Sequence, residues 1–304
     1  LLVQPASPSP GLFGLLAMLV LGSVVLDVAV GGLTLRLVAP EERRLASALQ
    51  YGGYYAGTIL AGGAFLTVEA RAGWGPAVLM LTSLACLGAL AAVMLRREAP
   101  RFGHVAPGRW RDFLPTRSLL PVLLVSLLID LPQNAGIALT GPALFDTGLS
   151  QDQTALLTGG GGLAAAIGGA LAAGLVGRRY RAGAVLLVLA LLQAAALLPL
   201  ALITGIEQLD PATAALAVIL AYATAAAFNV GLLAWCMDQA KLRKAATDLA
   251  LLASVHSISY VVAGPVAGWV AGSIGFPGLF AGSAVAAAAL ALTLSPLMLK
   301  WKRR

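Results

Sequence analysis

A chain of 304 residues that is 59% hydrophobic and only 11% charged, with a mean hydropathy of +0.89, is no soluble domain, because those carry about 25% charged residues. The net charge of +7 does not point to nucleic acid, since the cations sit in short breaks between apolar stretches. Cys86 and Cys236 both lie within apolar stretches and offer neither a disulfide framework nor metal-ligand spacing.

In chain order, nine apolar spans of membrane-crossing length follow one another. They are Gly11–Leu37, Ala46–Val68, Pro76–Leu95, Leu119–Thr140, Thr154–Val176, Gly183–Thr204, Ala212–Met237, Thr247–Ser273 and Gly278–Leu299. With these spans, every Lys and Arg except Arg71 falls on one side of the membrane. The positive-inside rule makes that side, and the C-terminus, cytoplasmic. A multi-pass protein of a bacterial inner membrane is the expectation. The break at residues 96–118 is rich in Arg, Pro and Gly and reads as a linker between two bundles. Within it, Trp110 and Phe113 suit either a short interfacial helix or a plain loop with two anchoring aromatics. His104 is expected to be solvated. The domain reading is therefore 1–95 as the second half of an N-terminal bundle, 96–118 as a cytoplasmic linker, and 119–304 as a C-terminal six-helix bundle.

The first and last thirds echo each other. At an offset of 202 residues Asp27 falls on Asn229, Ala61-Gly62 on Ala263-Gly264, Gly73 on Gly275 and Trp74 on Phe276. Internal repeats that carry polar groups inside apolar spans are characteristic of secondary transporters. Spans one to three then pair with seven to nine. The partners of spans four to six are expected before Leu1, as roughly 85 residues holding three helices, in a 6+6 bundle.

Polar groups inside the spans carry the functional signal, because a charge at mid-bilayer costs at least about 2.5–3.5 kcal/mol. Asp27 shares a stripe with Ser23, Gly31 and Thr34. Asp130 shares one with Ser126 and Asn134, beside Gln133 and the helix-kinking Pro132. Asn229 lies in the seventh span, with Tyr222 two turns earlier. Carboxylates lining a water-accessible cavity can take and release a proton, so Asp27 and Asp130 are candidates for proton coupling or substrate contact. The competing reading is a carboxylate hydrogen-bonded to a neighbouring helix. Asn229, Asn134, Gln133, Gln50, Tyr54, His256 and Tyr260 are substrate-binding candidates, against readings as interfacial tyrosines or interhelical hydrogen bonds. Gly57, Gly62 and Gly63, and the glycines of the fifth span, suit tight helix contact. No catalytic dyad, metal cluster or cofactor motif is present, so neither an enzyme nor a bound cofactor is expected.

The sequence also resembles a known family. The run Asp27-Val-Ala-Val-Gly-Gly-Leu-Thr-Leu-Arg36, then Pro40-Glu-Glu-Arg43, Gln50-Tyr-Gly-Gly53 and Gly73-Trp74 resembles the muropeptide permease and siderophore importer branch of the major facilitator superfamily. Leu26 and Gly31 stand where those relatives have Gln and a second Asp. Phe145-Asp146 with Gly148-Leu149-Ser150 is similar to a segment of the same branch, and Met237-Asp238 with Ala246-Thr247-Asp248 is similar to its siderophore importers. The resemblance implies an all-α membrane protein, a helical bundle whose nine transmembrane helices are equivalent to helices 4–12 of the family's 6+6 fold. It implies a monomer moving a small or medium polar solute by alternating access, in contact with membrane lipids and without nucleic acid. An efflux transporter of the same superfamily and a non-transporting receptor or assembly subunit are the alternatives.

Overall fold

The computed structural model describes residues 10–96, 119–206, 209–240 and 245–300. The expected linker, including His104, Trp110 and Phe113, lies outside the described residues apart from Arg96. The described chain is helical: α1 Pro10–Leu37, α2 Arg43–Thr58, α3 Phe65–Ala72, α4 Trp74–Arg96, α5 Leu120–Ala138, α6 Thr140–Asp146, α7 Gln151–Ala155, α8 Leu163–Val176, α9 Ala182–Ile203, α10 Pro211–Gln239 and α11 Ala245–Lys300.

Local chemistry sets the helix ends. Asp210 caps α10 by accepting from Thr213 N at 3.1 Å, and Pro211 supplies the first helical residue. Ser150 and Gln153 form a reciprocal capping box that starts α7. Gly73 ends α3 at φ 86°, ψ 176°, and Gly275 breaks α11 into two helices at φ 76°, ψ 170°. This region is open in practice to glycine alone. The two glycines are the pair related by the 202-residue offset, so the repeat is present in the backbone as well as in the sequence.

Among the described residues, six helical stretches are long and apolar enough to cross a membrane. That is fewer than the nine expected. One of the six, 53 residues long, is the pair of helices merged across Gly275. Two expected spans fall outside the six: α1, and the α2–α3 stretch, where Gln50, three tyrosines and several glycines hold down the apolarity.

Two units are distinct. The first holds residues 10–27 and 57–96 among those described. In it α3 and α4 form a hairpin, with the Phe65 and Trp74 rings edge-to-face at 5.6 Å. The second unit holds residues 28–56 and the described chain from Leu119 onward. Here α11 packs along α5 and α9, and α10 packs along α8 and α9. Phe228, Trp235, Met237, Leu186 and Ile129 fill one of its cores. Small residues let these helices approach closely. A Cβ at Gly169 would collide with the Ala223 backbone, one at Gly183 with the Met298 carbonyl, and one at Gly174 with Ala48.

The glycines of the second span behave differently from expectation. A Cβ at Gly57, Gly62 or Gly63 would meet nothing within 4 Å among the described residues. Instead Ile59–Ala64 forms a π-helical turn, and so does the Gly-rich Leu156–Gly162 before α8. Without side chains, glycine runs bend the helical ladder easily, which favours the wider turn.

Candidate functional site

Two polar rungs join α5 and α11. On the first, Asp130 Oδ2 lies 2.8 Å from His256 Nδ1, with the carboxylate side chain 1% exposed and the imidazole 31%. One turn on, Asn134 Nδ2 donates to Ser259 Oγ at 3.1 Å. The spacing follows from helical periodicity, since Asp130 and Asn134 are four apart on one helix and His256 and Ser259 three apart on the other. Asp130 Oδ1 is buried and has no hydrogen-bond partner among the described residues. One turn before Asp130, Ser126 Oγ lies 3.6 Å from Cys236 Sγ on α10. Gln133 turns away from this seam and donates to the Ala190 carbonyl of α9 at 3.1 Å.

A carboxylate and an imidazole at this distance can share a proton. With one proton between them, carboxylate and imidazole are neutral overall, as an ion pair. Loss of that proton leaves one net negative charge at a nearly water-free position, which is unfavourable unless the seam hydrates.

A second group gathers around tyrosines. Asn229 Nδ2 on α10 donates to the Tyr55 hydroxyl at 3.3 Å. The Tyr54 and Tyr55 rings meet edge-on at 5.4 Å, and Tyr51 lies 6.2 Å from Tyr55. Tyr260 is within electrostatic range of Tyr54, Tyr55 and Tyr222. Tyr54 and Tyr260 are both well exposed. His256 and Tyr260 are one turn apart, so α11 carries part of both groups on one face. Gln50 is engaged elsewhere, donating to Thr34 Oγ1 of α1 at 3.0 Å. Asp27 is exposed on α1 and belongs to the first unit.

Sequence reasoning missed a third set. Arg43 at the start of α2 pairs with Asp238 at the end of α10 at 2.9 Å and also donates to the Met237 carbonyl at 3.3 Å. The buried Arg44 donates to the Gly177 carbonyl just beyond α8. Ser47 Oγ approaches Met237 Sδ at 3.7 Å. Both arginines had been assigned to the basic loops that set topology. The available signal was Asp238, an acid at the end of an apolar span on the basic side of the membrane.

The major facilitator superfamily model matches residues 1–247. The chain belongs to that superfamily. A solved structure described as a bacterial homologue of the iron transporter ferroportin, in an outward-facing state, has the same fold at a TM-score of 0.63. The two are 17% identical over 98% of this chain and 76% of that one. Membership makes the protein a multi-pass membrane transporter rather than an enzyme. Its partners are a small-molecule substrate and the surrounding lipids.

Proposed function

We propose that this superfamily member is a proton-coupled secondary transporter that imports a polar solute of the siderophore or muropeptide type by alternating access. The observation that supports it most directly is the buried Asp130–His256 pair across the α5–α11 seam. A proton taken up there neutralises the seam and lets it close. A proton released there requires the seam to hydrate. Asn134 and Ser259 extend the same polar line, and the exposed Tyr54 and Tyr260 rings, with Asn229 behind Tyr55, offer stacking and hydrogen bonding to a solute. Asp27 is assigned to proton or substrate contact in the first bundle, and Gln133 and Gln50 support their helices beside the site. Arg43–Asp238 and Arg44–Gly177 act as the contacts that hold the basic, cytoplasmic end shut. In this reading all nine expected spans cross the inner membrane as helices 4–12 of a 6+6 fold, with bundles at 1–95 and 119–304 and a cytoplasmic C-terminus. The test is uptake into proteoliposomes driven by an inward proton gradient, with ferric siderophores and anhydro-muropeptides as solutes. Gradient-driven uptake that vanishes in Asp130→Asn supports the proposal. Uptake indifferent to both the gradient and the substitution overturns it.

A second reading has one specific observation behind it. Carboxylate and imidazole on facing helices are ligand types that hold a first-row divalent cation, and Asp130 Oδ1 has no partner among the described residues. The solved structure of similar fold is described as a homologue of an iron transporter. Divalent-cation flux in the same proteoliposomes, abolished by His256→Ala, favours this reading over organic solute import.

A further inference from the structure

The turn between α8 and α9 is held in place from both sides. Arg44 donates to the Gly177 carbonyl at its start, and Arg181 Nη2 donates to the Leu299 carbonyl of α11 at its end, 2.7 Å away. Beside this turn lies an open cavity of about 340 Å³ lined by Leu175, Val176, Arg179 and Tyr180. Leu175 and Val176 are exposed at the last turn of an apolar span, and Arg179 and Tyr180 are exposed just beyond it. The run Arg178-Arg179-Tyr180-Arg181 carries three cations and no acid. An apolar wall below and a guanidinium with a phenol above match the two parts of a phospholipid at the acyl–headgroup boundary.

We infer that this groove is a binding site for one anionic phospholipid. Its phosphate is held by Arg179 and the Tyr180 hydroxyl, and an acyl chain lies along Leu175 and Val176. A free anion in water is a poorer match, because half of the lining is apolar. The inference rests on the protein being in a membrane and not on what it carries. Occupancy has a structural consequence, since the turn it braces is the one that Arg44 grips from the start of α2.

The experiment uses the full chain in nanodiscs of phosphatidylcholine with and without phosphatidylglycerol. Native mass spectrometry reads the lipid retained, and thermal unfolding reads stability. The expected result is one retained phosphatidylglycerol, a higher melting temperature in its presence, and about tenfold weaker retention in Arg179→Gln, the size of one charge-assisted hydrogen bond to phosphate. Arg179→Lys keeps most of the retention. Arg71→Gln, at the other end of its bundle, changes nothing. Inorganic phosphate alone leaves both readouts unmoved. Equal retention of the two lipids, retention unaffected by Arg179→Gln, or displacement by inorganic phosphate overturns the inference. Should Arg179→Gln fail to fold, the comparison of lipids on the unsubstituted protein decides alone.

Discussion

Replacing His256 by alanine removes the partner of a carboxylate that is 1% exposed and whose other oxygen has no partner among the described residues. Deleting one member of a buried ion pair typically costs about 3–5 kcal/mol, because an uncompensated charge stays behind. His256 is 31% exposed, so some water reaches the vacated space and the lower end, about 3 kcal/mol, is expected. Asp130→Asn costs less, about 1 kcal/mol, since the amide oxygen still accepts from the imidazole and no charge is stranded. The informative variant is the double one. In His256→Ala/Asp130→Asn the stranded charge is gone, so the protein recovers about half of what His256→Ala lost. For a unit of this size each kcal/mol corresponds to about 2–4 °C in melting temperature. The assay is thermal unfolding in detergent micelles or nanodiscs, run on all four members of the cycle. If the double variant melts at or below His256→Ala, the pair is not held together by charge and the shared-proton argument fails.

The other predictions are more local. Arg43→Gln breaks a pair that is only partly shielded from solvent, worth about 1 kcal/mol, and shifts the protein towards an open basic end. Cysteine labelling near Ser47 should increase several-fold, and the charge swap Arg43→Asp/Asp238→Arg should restore protection. Gly73→Ala and Gly275→Ala each force an L-residue into the glycine-only region, at a cost of about 1–3 kcal/mol, read as lower melting temperature without loss of solute specificity. Tyr260→Ala and Tyr54→Ala each remove one exposed ring and should raise KM about two- to tenfold with little change in kcat, read from the concentration dependence of uptake.

Much of the helical frame was legible, because a membrane span is written in consecutive apolar residues and its ends in Gly, Pro and Arg. Asp130 was legible for the same reason, as a charge with no business in lipid unless it has a task. Its partner was not. His256 is 126 residues away, and only the packing of α11 on α5 brings the imidazole to the carboxylate. The Asn134–Ser259 and Asn229–Tyr55 bonds were hidden in the same way, with only one end of each, Asn134 and Asn229, nominated from sequence. Arg43 and Arg44 show the opposite difficulty. Their composition fitted a simple rule about basic loops so well that a structural task was overlooked. The glycine runs divided: Gly162 and Gly169 do pack against α10, at Tyr222 and Ala223, while Gly57, Gly62 and Gly63 sit in or beside a widened helical turn.

Gly73 and Gly275 hold the chain in a conformation that is the mirror image of ordinary extended backbone. Handedness, and not size or polarity, is therefore what these two positions select. A D-alanine introduced at either by chemical ligation would fit where an L-alanine does not. Duplicated segments can exchange nearly every side chain and still betray their kinship at such achiral points. In this chain the likeness of the two copies is carried by a backbone that only an achiral residue adopts without strain at both places.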